Sequence, residues 1–265
     1  MTLPSSGAIS LNQIHVEAGG SNNTLCSLND ADIRAMIGKS SGAQNRFNDY
    51  YGISAAAPSA TYKGRILTTG NGFPAGSVVL SSGTKVVVVA LAMPGYQNTY
   101  CNLGSSAMTL AASNAVNGMS AVYYLQTSAS GSTYISGNGG SGRSVGYVWE
   151  ITGYSSSTPY STVATKSPNN TSGYSHTISL STQYNGVTIG AGVCEDTIPA
   201  NQGNVTVSNS DQLLQIDLEL ATNHYSWKDE NTGTGTTSHV CTQNNPGNNG
   251  SPTGTFHALA AAHWK

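Results

Sequence analysis

The sequence predicts a mainly β protein: an antiparallel β-sandwich of jelly-roll type, preceded by a small segment of short helices. Three observations carry that prediction. After residue 60 come eleven short strand-like stretches, several alternating apolar and polar residues with period two; Gly, Asn and Ser turns separate them; and no long stretch repeats its apolar residues at helical spacing. Charged residues make up 8% of the chain, against about 25% in an average soluble domain. Disordered chains pair low hydrophobicity with high net charge. Here the formal charge is −2 and the apolar periodicity is clear, so the chain is expected to fold.

The elements divide by composition near residue 54, into an N-terminal segment over 1–54, a linker over 55–60 and a sandwich over 61–265. The first segment holds three units that echo one another, beginning at Ser6-Gly7-Ala8-Ile9, at Cys26-Ser27-Leu28 and at Ser41-Gly42-Ala43. Ser10 with Gln13, and Ser27 with Asp30, have the spacing of a capping box, in which the hydroxyl accepts a first-turn N–H and the third residue reaches back. Short helices are predicted over 11–18 and 28–37, ending at Gly19 and Gly38, with a further turn through Tyr50 and Tyr51 to Gly52. Helices this short are not stable alone in water. Their apolar set, Ile14, Val16, Leu28, Ile33, Met36, Ile37, Phe47 and Tyr51, is small. The segment is therefore expected to lean on the chain's own β domain or on another protein.

Over this first fifth, the chain resembles the N-terminal module of bacteriophage tail-fibre and other virion-associated proteins, particularly those of marine and cyanobacterial phages. The resemblance rests on Leu3-Pro4-Ser5-Ser6-Gly7-Ala8-Ile9-Ser10-Leu11-Asn12, on Ser27-Leu28-Asn29-Asp30 leading into Ile33-Arg34, and on Lys39-Ser40-Ser41-Gly42-Ala43 closing at Tyr50-Tyr51-Gly52. Gln44-Asn45-Arg46-Phe47 departs from it, where the family more often repeats an Ile-Ser-Leu or Ile-Ser-Met core. The resemblance implies a virion protein anchored by this segment, with Ile9, Leu11, Ile14, Leu28, Ile33, Met36, Phe47, Tyr50 and Tyr51 as the anchoring residues.

Beyond the small-residue linker around Pro58, strands are predicted over 61–67, 77–80, 85–92, 108–112, 120–126, 144–152, 176–180, 187–193, 204–207, 213–221 and 255–262. Leu214, Ile216, Leu218 and Leu220 face one way, with Gln215, Asp217 and Glu219 on the other side. Val145, Tyr147, Trp149 and Ile151 alternate in the same manner. The run from Val86 to Leu91 is apolar on both faces, which predicts a central strand between two layers.

Several functions are excluded or weakened. Ten Lys and Arg residues form no basic stripe, so nucleic-acid binding is not expected. The longest apolar run is far below the roughly 20 residues that span a bilayer. Met1-Thr2-Leu3-Pro4-Ser5-Ser6 has neither a basic start nor an apolar h-region, so no signal peptide is expected and the product is expected to stay in the cytoplasm until assembled or released; the resemblance implies a final place in the virion. Cys26, Cys101, Cys194 and Cys241 are far apart with no C-x-x-C pair, and read as reduced thiols in or near cores. No cofactor, metal or catalytic constellation is expected. Asp217 with Glu219 reads as a solvated strand face, Glu195-Asp196 as a turn, His239 with Cys241 as an incomplete ligand set, His263-Trp264 as a packed last strand. Gly137-Asn138-Gly139-Gly140-Ser141-Gly142 lacks the Lys and Ser/Thr of a phosphate cradle.

Recognition is better supported. Tyrosine outnumbers phenylalanine 14 to 3, and a half-exposed phenol offers a face and a hydroxyl to a sugar. Residues 231–253, rich in Thr, Asn, Gly and Pro, read as a distal loop, so Tyr225, Trp227, Asn244 and Asn245 are the expected receptor contacts. The leading function is a tail-fibre or baseplate-associated adhesin that docks on other virion proteins, contacts a host-surface glycan and forms a homo-oligomer, with a trimer as the expected state. The alternatives are a capsid decoration or head-fibre protein and, behind it, a glycan hydrolase of the tailspike kind, for which neither β-helical repeats nor paired acids are evident.

Overall fold

The computed structural model describes residues 3–37, 39–40, 42–52, 57–68, 70, 72–94, 100–115, 118–138, 143–166, 175–183, 185–195, 205–219, 222–231, 235–243 and 256–265. The chain divides into two compact units, 1–57 and 58–265.

The first unit contains α1 (Leu11–Glu17), α2 (Ala31–Ala35) and a 3-10 turn (Phe47–Tyr50). The predicted capping box of α1 is present in full: the Gln13 N–H donates to Ser10 Oγ at 3.1 Å, and the Ser10 N–H donates to Gln13 Oε1 at 2.7 Å. The second helix is shorter than expected. Its cap is Asp30, and Ser27 instead shapes the preceding turn, accepting the Asn29 N–H at 3.1 Å while its own N–H donates to Asp30 Oδ2 at 2.8 Å. Leu3, Ile14, Ile33 and Tyr50 form a small core, against which Ile9, Leu11, Leu28 and Met36 pack. The buried guanidinium of Arg34 holds the loop around it, donating to Asn29 Oδ1 at 2.8 Å, Ser40 O at 3.0 Å and Ala43 O at 2.6 Å. Its planar fork reaches acceptors on several sides, which a lysine would not. The Gly52 N–H donates to Pro4 O at 3.0 Å and Tyr51 Oη donates to Gly7 O, so the end of the unit is tied to its start.

Among the described residues the regular structure of the second unit is all β, and it contains not one sandwich but two in tandem. The first consists of β1 (Ser59–Thr68), β2 (Gly76–Leu80), β3 (Lys85–Pro94), β4 (Tyr100–Leu103), β5 (Ser106–Ala107), β6 (Thr109–Ala115), β7 (Gly118–Thr127), β8 (Gly131–Asn138) and β9 (Ser144–Thr152). The second consists of β10 (Ser161–Lys166), β11 (Ser175–Thr182), β12 (Gly186–Glu195), β13 (Val205–Val207), β14 (Gln212–Glu219), β15 (Thr222–Asn231), β16 (Gly235–Gln243) and β17 (Phe256–Trp264). Every pairing is antiparallel. Sheet orders β1-β9-β3-β7-β6 and β2-β8-β4-β5 interleave the strands between two layers, which is jelly-roll topology. Orders β10-β17-β12-β15-β14 and β11-β16-β13 repeat it in the same order, with no described counterpart of the two-residue β5.

Four layers therefore enclose three apolar seams. Within the first roll, Val87, Val89, Leu91 and Met93 of β3 meet Ile66, Val78, Leu80 and Ile135. Within the second, Ile178, Leu180, Cys194, Tyr225, Trp227 and Leu259 meet. Between the rolls, the five-stranded sheets pack face to face: Val86, Val88, Ala90, Tyr147 and Trp149 of one against Val187, Ile189, Ala191, Ala260, Ala262 and Trp264 of the other. The double-faced apolar run of β3 thus serves two seams at once, as its composition predicts. The in-sheet registers show that equivalent positions of the two facing sheets differ in size. Val88 pairs with Trp149 and Ile189 with Ala262; the large ring on β9 and the small methyl on β17 occupy equivalent positions of the two rolls. Polar links cross the same seam, with Tyr147 Oη donating to His224 O at 2.7 Å, Trp149 Nε1 to Ser226 Oγ at 3.1 Å and Ser120 Oγ to Ala258 O at 2.6 Å.

Candidate docking and display surfaces

In the first unit, α1 is amphipathic. Leu11, Ile14 and Ala18 face the small core, which leaves Val16 on the other side, 40% exposed. Beside it lies a shallow, mainly apolar cavity of about 310 Å³ lined by Leu3, Pro4, Asn12, Gln13, Val16 and Glu17. Leu25 is fully exposed and Phe47 is 39% exposed. Of the expected anchoring residues, Ile14, Ile33 and Tyr50 are fully buried within the unit itself, so they hold its fold together and are not themselves contact residues. Ile9, Leu11, Leu28 and Met36 pack onto the same core, and Tyr51 is held through its hydroxyl. Phe47 alone among the nine is a largely exposed apolar group. The apolar surface that the unit leaves exposed, among the described residues, is Val16, Leu25, Phe47 and the cavity rim. Sequence reasoning missed Leu25 and the rim because it weighed apolar residues without deciding which side of each short helix would be covered.

The expected receptor contacts in the second unit are corrected in part. Tyr225 and Trp227 are fully buried in the core of the second roll, with stacked rings 6.1 Å apart between centroids, and neither presents a face to solvent. The reason lies in β15, which is an interior strand paired with both β12 and β14. Opposite those rings, β12 carries Gly190 and Gly192: a Cβ on either would lie 2.1 or 2.2 Å from the Trp227 or Tyr225 ring. The sheet backbone makes room for the aromatics there. Asn244 and Asn245 lie outside the described residues, as does most of 231–253, of which 235–243 forms β16.

The remaining sequence candidates separate cleanly. His239 and Cys241 do share the inward face of β16; His239 Nε2 lies 3.8 Å from an Asp229 carboxylate oxygen and its ring 5.8 Å from that of Trp227. His263 is buried at the end of β17, where Nε2 accepts the Gln183 N–H at 3.0 Å and Nδ1 sits 3.0 Å from Thr188 Oγ1. Among the described residues, no group of three or more His, Cys, Asp and Glu is placed to hold a metal ion, and no helix is long and apolar enough to cross a membrane. All four cysteines are free. Burial raises the thiols of Cys101 and Cys241 to about 12, which keeps them protonated and unreactive. Ellman's reagent on native protein is expected to titrate Cys26 alone at a measurable rate, and all four thiols after denaturation; a second fast thiol would contradict the buried positions of the other three.

The outward faces of the rolls differ from each other. On β2 and β8, Val79 and Tyr134 are 65% and 53% exposed, and Tyr100 on β4 is 51% exposed. The matching face of the second roll is a ladder of small hydroxyls in which Ser175 meets Thr242 and Ser179 meets Ser238, each at 2.7 Å. The chain matches no family model, no curated protein and no solved structure.

Proposed function

We propose that this chain is a non-enzymatic virion structural protein of a bacteriophage: a tail-fibre or baseplate-associated adhesin that docks through its first unit and presents its double jelly roll to the host surface. The division of the chain at residue 57 carries the reading. A unit with a four-residue core and apolar groups left on its surface suits attachment to a larger assembly. A second unit with three stacked apolar seams is a stiff support for a binding face. The resemblance of residues 3–52 to virion attachment modules supplies the kind of partner. The low charge of the chain fits contact with other neutral protein or sugar surfaces, where no ions have to be desolvated.

The test separates attachment from display in the full chain. Fluorescent protein is expected to bind purified virions lacking it and, separately, to label host cells. Val16→Asp combined with Phe47→Asp places charges on the exposed apolar groups without touching the core, and is expected to reduce virion binding at least tenfold while cell labelling persists. Virion binding that survives both substitutions, or cells that stay unlabelled by the parent protein, would overturn the respective half of the proposal.

A further inference from the structure

We infer that the outer face of the four-stranded sheet β2-β8-β4-β5 is a binding surface for a neutral polysaccharide; this rests on the adhesin reading and names the surface and the ligand class. Strand alternation assigns the face. Val78, Leu80, Cys101, Leu103 and Ile135 point inward and are buried, so Ser77 and Val79 on β2, Tyr134, Ser136 and Asn138 on β8, and Tyr100 and Asn102 on β4 point outward. Pairing of Ser77 with Tyr134, Asn102 with Ser136 and Tyr100 with Asn138 brings these side chains into adjacent rows on one surface. Both tyrosine rings are more than half exposed on strands whose other face is locked in a core. They stand four residues apart along the β8 direction, about 13 Å, the reach of a short oligosaccharide.

The chemistry of the face selects its occupant. No Lys, Arg, Asp or Glu occurs in any of its four strands, and Lys63 at the β1 margin is paired with Glu150 at 3.4 Å. An ionic ligand would find no counter-charge. A sugar ring presents an apolar C–H face and a rim of hydroxyls, and the surface answers both, with phenol rings to stack on and amides and hydroxyls to exchange hydrogen bonds. The duplicated roll provides the internal contrast. Val79 and Tyr134 stand where the second roll has Ser179 and Val240, judged from the inward Leu80 and Leu180 and the strand pairings. There the hydroxyls bond each other, and the described residues of β11, β13 and β16 offer no outward aromatic ring. The same scaffold thus carries one self-satisfied face and one with exposed aromatics.

Affinity electrophoresis of the full chain tests this, in native gels containing dextran, mannan, laminarin or agarose, with alginate as the anionic comparison. At least one neutral polysaccharide is expected to retard the parent protein and alginate is not. Tyr134→Ala and Tyr100→Ala should each weaken the retarding affinity about tenfold, the loss of one stacking ring, whereas Tyr160→Ala, equally exposed but outside this sheet, should leave it unchanged. Unaltered melting temperatures keep the variants interpretable. The inference fails if no neutral polysaccharide retards the protein, if only alginate does, or if the Tyr100→Ala, Tyr134→Ala double variant is retarded like the parent. It also fails if light scattering shows that the double variant dissolves an oligomer, because the face is then a seam between copies. Host cells labelled equally by parent and double variant would remove this surface while leaving the adhesin reading intact; cells unlabelled by the parent would remove that reading, with the gels still deciding the surface.

Discussion

Trp149→Ala is expected to destabilise the second unit by about 4 kcal/mol and to lower its melting temperature by roughly 10 °C, the range for emptying a fully buried tryptophan site in a domain of this size. The ring lies in the seam between the two rolls, packed with the Tyr62 ring at 5.4 Å and fully buried. Its Nε1 donates to Ser226 Oγ, which in turn donates to Gly190 O at 2.7 Å, so the indole links β9 of the first roll to β15 and β12 of the second. Truncation leaves a void in the central seam beside Ser226, where close-packed neighbours cannot fully collapse into it. Calorimetry reads the loss directly. A single transition shifted downward would mean that the rolls unfold as one body; two separated transitions would mean that the central seam is their only coupling. An unchanged melting temperature would contradict the seam. Tyr134→Ala, on an exposed face, should stay within about 0.5 kcal/mol of the parent protein.

The strands that were legible in the sequence are those that face two chemistries. Val86 to Met93 reads as central because both of its faces are apolar, and each face does fill a separate seam. Val145, Tyr147, Trp149 and Ile151 alternate and all point into the central seam. Each of the eleven expected segments coincides with a strand. Six others were missed, and their composition explains why. In β8, Ser-Thr-Tyr surrounds one inward apolar anchor, Ile135; in β16, Thr, Ser and His surround Cys241. With one buried apolar side chain in each of these two strands, the apolar count falls below any period, while backbone pairing to β2, β4 and β11 still fixes the conformation. Tyr225 and Trp227 of β15 were expected at the receptor surface because their rings precede the polar stretch 231–253, yet the strand is interior over Asn223–Trp227.

The duplication was illegible for a related reason. What the two rolls share is strand order and inward pattern, whereas the residues filling equivalent places differ in size, as Trp149 and Ala262 do. That difference has a physical use. Two identical faces would bind copies of themselves as readily as each other, whereas faces that carry their large rings at different positions, Tyr147 and Trp149 on one and Trp264 on the other, prefer their own partner within the chain. The candidate anchoring residues were recognisable as apolar but not as inner or outer, since a short helix shows its burial only once its neighbours are placed. The exposed tyrosines could not be told from the fourteen in the chain without the sheet that sorts them.

Acid is expected to weaken the second unit between pH 6.5 and pH 4, and His263 is the main cause. Burial lowers its pKa from 6.5 to about 4, with nearby His239 contributing in the same direction. The hydrogen bonds give the mechanism: Nε2 accepts the Gln183 N–H, so the ring proton sits on Nδ1 and points to Thr188 Oγ1. A second proton would place two donors against each other. The unfolded chain takes up this proton near pH 6.5 while the folded one resists it until about pH 4. The unfolded state therefore binds more protons across that window, and stability falls as the pH drops through it. The contribution is complete above pH 6.5 and lost by pH 4, at most about 3 kcal/mol for the single ring. Burial also lowers His239 and His176, which titrate in the same direction. Asp49, held low by the Lys39 ammonium 2.6 Å away, acts only at lower pH and in the other unit. Urea unfolding at half-unit steps from pH 7.5 to 4 should show this slope. His263→Gln keeps an acceptor for Gln183 and cannot take the proton, so its profile should be flatter by about one proton, though not flat. Parallel profiles for the two proteins would show that the ring takes up its proton in the fold as readily as in the unfolded chain, in conflict with the hydrogen bond it accepts.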